Sequence, residues 1–213
     1  MKRNYIWAGI LLLIAAVSGV VAVRYFSKRG PLSESNFFYP RVKGSAGASV
    51  IIQEFSDFQC PACRMAQPVL QKIEENHRGE VAVLFRHFPL AQHQWSPAAH
   101  QAAECAGEQG NFWDYHDLLF SNQEKWSVSE NPIVMFAEYA KGLGFNLDRF
   151  GACLADEKIK ARIEKDRAEG ERLQITSTPT FFFNQKRVVG GPALEAEGEK
   201  TIAELTGKPA KTP

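Results

Sequence analysis

Two cysteines three residues apart at the start of a helical pattern constrain this 213-residue chain more than any other feature. Cys60 and Cys63 frame Pro61-Ala62 and follow closely on the apolar, β-branched run Val50-Ile51-Ile52. Positions i and i+3 share one helical face, so the pair can close a disulfide with little backbone strain. Proline at the first helical position costs no hydrogen bond, because the N–H it lacks would be unpaired there. Cys60 is left at the cap, facing free backbone N–H groups and the positive end of the helix dipole, which stabilises its thiolate. A thiolate at neutral pH attacks and leaves readily, so the motif reads as a redox site. The other readings are an inert disulfide or half of a zinc site. Zinc normally takes four ligands, and the chain has a single CxxC unit, so no metal is expected.

The elements around the motif set its frame. Val50 to Ser56 reads as a strand, Pro61 to about His77 as a helix, and Val81-Ala82-Val83-Leu84-Phe85, after the Gly79 break, as a second strand. A βαβ unit makes those strands parallel. A long helical stretch follows, with helix starts at Ser96-Pro97 and Asn131-Pro132, an end at Gly142 and Gly144, and a charged amphipathic helix from Ala155 to Leu173. Thr180-Phe181-Phe182-Phe183 and Arg187-Val188-Val189, turning at Asn184-Gln185, form a hairpin, and a helix from about Leu194 to Leu205 closes the domain. The order βαβ, helical block, ββα is that of an α/β thioredoxin fold with a helical insertion over about residues 93–173 of a domain spanning 50–207, with a tail at 208–213.

Ahead of the domain, Ile6 to Val23 carries no charge; eighteen residues at about 1.5 Å each span roughly 27 Å, close to a thin bilayer core. A cleaved signal peptide ending near Ala16-Val17-Ser18 is the alternative, but the apolar run continues five residues further to Arg24, so residues 1–29 read as an uncleaved transmembrane anchor. Both flanks are basic (Lys2 and Arg3; Arg24, Lys28 and Arg29), so the positive-inside rule is indecisive. Either reading exports the domain. Residues 30–49, rich in Ser, Gly, Pro and charge around Phe37-Phe38-Tyr39, read as a tether, too short for a dimerisation domain, so a monomer is expected. From Gly30 onward 20 basic residues face 24 acidic ones, which disfavours nucleic-acid binding. Four cysteines behind an export segment fit an oxidising compartment, where Cys105 and Cys153 would form the second disulfide; two free buried thiols are the alternative.

Three further positions carry signals. Glu54 alternates onto the same face as Ile52, which puts a carboxylate on a buried strand and makes it either an exposed edge residue or a functional one. Pro68 falls inside the helix, whose spacing continues through Val69, Leu70 and Ile73, so a kink rather than an end is expected. Thr178-Pro179 precedes a strand in a chain that also carries the CxxC helix, which invites a cis peptide there. The histidines at 77, 87, 93, 100 and 116 show no ligand spacing and are expected on surfaces or helix ends. Phe112, Trp113, Tyr115, Phe120 and Phe136 are expected to form the core of the insertion.

From Val50 to Leu205 the chain resembles the DsbA-like thiol:disulfide oxidoreductases, of the membrane-anchored type with a helical insertion. The residues that carry the resemblance are Glu54, Asp57, Cys60, Pro61, Cys63, Pro68 and Thr178-Pro179, with Ala103 to Ala106 and Phe112-Trp113. The resemblance implies that Cys60 is the nucleophile, Cys63 the buried resolving thiol, Pro179 a cis proline facing the disulfide and Glu54 a buried acid relaying a proton to Cys63. It further implies substrate contact by Thr178, Pro61 and Ala62, a second disulfide as in anchored relatives, no cofactor, exported substrate proteins with cysteine thiols, and a membrane quinone-linked partner of DsbB or VKOR type. The catalytic domain would face the periplasm or cell surface from a single-pass anchor. Oxidation of substrates is the expected direction, but Thr178 before the proline and the neutral Pro61-Ala62 pair leave isomerase or reductase activity open. A non-catalytic metal-binding or partner-binding thioredoxin-like module is the reading from another class.

Overall fold

Short apolar runs form the centre of a five-stranded sheet in the computed structural model, which describes residues 41–211. In chain order the strands are β1 (Val42–Gly44), β2 (Val50–Ser56), β3 (Val81–His87), β4 (Thr180–Phe183) and β5 (Lys186–Val189), arranged β1-β3-β2-β4-β5. Only β2 and β3 run parallel, because helix α1 (Pro61–Asn76) carries the chain back between them. The insertion comprises α2 (Ser96–Gly107), α3 (Phe112–Ser121), α4 (Gln123–Trp126), α5 (Ile133–Gly142), α6 (Leu147–Leu154) and α7 (Glu157–Arg172), and α8 (Gly191–Thr206) ends the domain.

Alternation along the central strands divides the core. Val50, Ile52, Val81, Val83, Phe181 and Phe183 face Ala66, Leu70 and Ile73 of α1 and Leu194 and Ile202 of α8. Phe55 and Phe182 face the other way, where Phe55 meets Phe88 edge to face at 6.4 Å. Gly170 of α7 lets that helix approach closely: a Cβ there would come within 2.6 Å of the Phe88 ring. A third cluster joins Phe58, Cys60 and Cys63 to the insertion through Phe85, Phe112, Tyr115, Phe120, Trp126 and Phe136, so the aromatics expected in the insertion also back the CxxC motif. The helix α1 runs through Pro68 without ending.

Two expectations need correction. Residues 41–44 are part of the fold rather than tether: β1 pairs antiparallel with β3, and Arg41 is buried, with Nε 2.9 Å from Glu104 Oε1 and Nη1 paired to Asp166. The Gly and Ser residues after it hid a three-residue edge strand, whose pairing partner lies some forty positions downstream. The histidines fit the expectation only in part: His77 caps the C-terminal end of α1 and His93 is partly exposed, but His87, His100 and His116 are buried away from surfaces. His87 continues β3 on the side facing the insertion, where its Nε2 lies 2.8 Å from Glu104 and its Nδ1 2.5 Å from Nδ1 of His100. Partners brought in by tertiary contact make that burial tolerable. Burial holds His87 down at about 4, so it is neutral at physiological pH. Against the cost of burial, the His87 hydrogen bond and the Arg41 charge hold Glu104 at about 2.

The expected membrane segment, residues 6–23, lies outside the described residues; among the described residues no helix is long and apolar enough to cross a membrane.

Candidate active site

Cys60 is the N-cap of α1 and Pro61 its first residue, as the backbone argument requires. Both cysteines are reduced, Cys60 buried to 7% exposure and Cys63 wholly buried. The cap geometry separates their chemistry. Cys60 is brought down to about 5, first by the hydrogen bond from the Cys63 thiol, against some desolvation, and then by Thr178 and the backbone N–H groups of Cys63 and Ala62. Cys63 moves the opposite way, well above the ordinary thiol range, because it is desolvated and faces the Cys60 sulfur. Its Sγ accepts a bond from the Asp57 N–H at 3.4 Å. One thiol is thereby kept ionised at the surface end of the pair and the other protonated beneath it.

The Thr178-Pro179 peptide is cis and brings the Thr178 carbonyl oxygen 3.6 Å from Cys60 Sγ. Pro61 is exposed and Ala62 partly so, which leaves them open beside Cys60. Glu54 is buried at 0% exposure and sits on β2 opposite Phe85 of β3 and Phe181 of β4. Desolvation pushes it up to about 7, while the neighbouring Ser56 and the hydrogen bond from Gln67 work the other way. The Gln67 amide that bonds this carboxyl at 2.7 Å also reaches the Cys63 carbonyl oxygen at 3.4 Å. Cys105 and Cys153 form a disulfide joining α2 to α6.

Sequence reasoning did not reach the residues that hold the loop ahead of Cys60. Gln123 of α4 donates through Nε2 to the carbonyl oxygens of Phe58 at 2.7 Å and Cys60 at 2.9 Å. Gln59 accepts from the Trp95 N–H at 2.7 Å. The Asp57 carboxylate accepts from the Gln59 and Leu90 N–H groups and from Ser96 Oγ, and meets His93 Nδ1 at 2.7 Å. With burial opposing, its contacts to His100, Ser96 and Leu90 keep it ionised, at about 2. Apart from the Gln59 N–H, these partners sit 33 or more positions away, beyond the reach of any local pattern. Among the described residues no cluster of three His, Cys, Asp or Glu side chains is arranged to hold a metal ion.

Residues 38–206 match the family described as Thioredoxin. The chain belongs to the thioredoxin family. Among solved structures it is similar to BdbD from Bacillus subtilis, with a TM-score of 0.70 and 25% identity over 78% of this chain and 92% of that one. The fold also matches alpha-DsbA1 of Wolbachia pipientis (TM-score 0.68, 22% identity, 82% and 96% covered), which makes the architecture a DsbA-like thioredoxin fold with its helical insertion. A curated relative, the Na(+)/H(+) antiporter NhaA 3 of Salinispora tropica, is 36% identical over 73% of this chain. The match covers 23% of that protein, so the chain spans about a quarter of the length of the curated relatives it matches.

Proposed function

We propose that this chain is a thiol:disulfide oxidoreductase that introduces disulfides into exported proteins from the extracytoplasmic side of a membrane, anchored through residues 1–29 and acting as a monomer. The observation that carries this reading is the division of labour in the CxxC pair: Cys60 titrating at about 5 over a buried, protonated Cys63. Stabilising the Cys60 thiolate favours the reduced enzyme over its disulfide, so the disulfide form is the better oxidant. The likeness to BdbD, with the same fold at 25% identity, supports the same chemistry.

The cycle begins with the Cys60–Cys63 disulfide. A substrate thiolate attacks Cys60 Sγ, the intramolecular S–S bond breaks, and Cys63 leaves as a thiolate that takes a proton from Glu54. A second substrate thiolate attacks the substrate sulfur of the mixed disulfide and expels Cys60 as its stabilised thiolate. The substrate is oxidised by two electrons and the enzyme is left as the dithiol. The substrate chain would dock against Thr178-Pro179, Pro61 and Ala62, which border Cys60. Re-oxidation falls to a membrane quinone-linked partner of DsbB or VKOR type, which anchoring would keep close.

The test is Cys63→Ser expressed in a cell that exports cysteine-containing proteins. The variant cannot form the starting disulfide, but its Cys60 thiolate attacks the disulfide of an oxidised exported protein, the reverse of the last step, expelling one substrate thiolate. With no Cys63 thiol to release it, the mixed disulfide accumulates as a thiol-sensitive adduct identified by mass spectrometry. An absence of adducts under conditions where the variant is folded and exported would overturn the mechanism.

A further inference from the structure

Gln67 lies one turn beyond Cys63 on α1. Its Nε2 donates to Glu54 Oε1 at 2.7 Å and reaches the Cys63 carbonyl oxygen at 3.4 Å. Glu54 has no exposed surface, and its second oxygen has no hydrogen-bond partner. Gln67 is half-buried: it also lines an open cavity of roughly 570 Å³ along α1, together with Arg64, Met65, Asp117 and Phe120. Gln67 therefore touches the buried carboxyl on one side and the open cavity on the other, and it presents a donor to the carboxyl.

We propose that Gln67 is the positioning residue for Glu54: its amide closes the cavity side of the carboxyl and donates the bond that favours the carboxylate, so that it sets the proton affinity of the acid serving Cys63. This rests on the reading of Glu54 as the proton partner of Cys63. The other groups around Glu54 do not replace that donor. Phe85 of β3 and Phe181 of β4 are uncharged, as are Leu194 and Ile202 of α8. Glu74 of α1 adds a negative charge that favours the protonated acid, Ser56 of β2 contributes a hydroxyl, and the thiols of Cys60 and Cys63 sit at the start of α1. Arg64 and Asp117 flank the cavity with opposite charge.

Two substitutions separate plug from donor. Gln67→Leu keeps an apolar body of similar size and removes the donor, so Glu54 holds its proton more tightly. Gln67→Ala opens the cavity onto the carboxyl, and hydration eases its ionisation. The two variants therefore shift Glu54 in opposite directions, which loss of packing alone does not do.

The experiment mixes the reduced full chain with saturating oxidised glutathione across pH 5–9. Cys60 takes up glutathione as a mixed disulfide; the Cys63 thiol then passes its proton to Glu54, and its sulfur displaces glutathione thiolate to close the Cys60–Cys63 bond. The unimolecular second step is followed by rapid quench. In the wild type its rate rises through an inflection near neutrality that Glu54→Gln removes. Gln67→Leu should move that inflection up by about one pH unit, and Gln67→Ala should move it down. If the wild type inflects and Glu54→Gln abolishes the inflection, but both Gln67 variants leave it in place or shift it the same way, the role of Gln67 is overturned while that of Glu54 stands. If the wild type and Glu54→Gln share one profile, the reading of Glu54 falls, and the proposal with it.

Discussion

Replacing Glu54 with glutamine should stabilise the protein at alkaline pH and do little at acid pH. The carboxyl is fully buried, and burial raises it from 4.5 to about 7. A raised folded-state pKa means that the native state holds the proton through a range in which the unfolded chain has released it. Below about 4.5 both states are protonated, and the buried neutral acid carries no ionisation cost. Between 4.5 and 7 stability falls by about 1.4 kcal/mol per pH unit, and above 7 the whole difference, about 3 kcal/mol, is lost. Glutamine has the shape of the acid, can accept from Gln67 and does not ionise. Urea unfolding of the reduced protein at pH 4, 6 and 8 measures the effect, with equal m values as the check that the unfolded states are comparable. The stability of E54Q relative to wild type should rise by about 3 kcal/mol from pH 4 to pH 8. A difference that stays constant across this range would mean that Glu54 ionises at its ordinary pH, and would refute the argument from burial.

Two further outcomes follow from the packing. Arg41→Ala leaves the buried carboxylates Glu104 and Asp166 short of their counter-charge and should cost about 3–5 kcal/mol in urea unfolding, whereas a true tether residue would change nothing. Cys105→Ala/Cys153→Ala removes a cross-link between residues 48 apart and should cost up to about 4 kcal/mol, read as a lower urea midpoint of the oxidised protein, with Cys60 still thiol-reactive.

What the sequence made legible was local. Cys60, Pro61 and Cys63 announce themselves because capping, helical phase and spacing are all short-range. Glu54 stood out as a carboxylate in a β-branched apolar strand, and Thr178-Pro179 as a proline immediately before a strand. Ser96-Pro97 and Asn131-Pro132 marked the starts of α2 and α5 and the charged pattern marked α7, whereas α3, α4 and α6 carried no such signal. What stayed hidden depends on pairing across the chain. β1 is too short to show alternation and is a strand only because β3 accepts it. His87 and His100 lack ligand spacing and meet because β3 and α2 pack together. Gln67 and Gln123 look like ordinary helix residues until their amides are seen on Glu54 and on the Phe58 and Cys60 carbonyls. Asp57 marks the family resemblance, but the web it ties together is set by residues from Leu90 to His100.

The central claim is that the Cys60–Cys63 pair is poised to oxidise. The most direct measurement is its redox equilibrium with glutathione at pH 7, with the two states of this pair resolved by alkylation and mass. A Cys60 thiolate stabilised to about 5 predicts a potential well above about −270 mV, on the side of the strong oxidants near about −120 mV. A potential near about −270 mV would contradict it and make the same site a reductant.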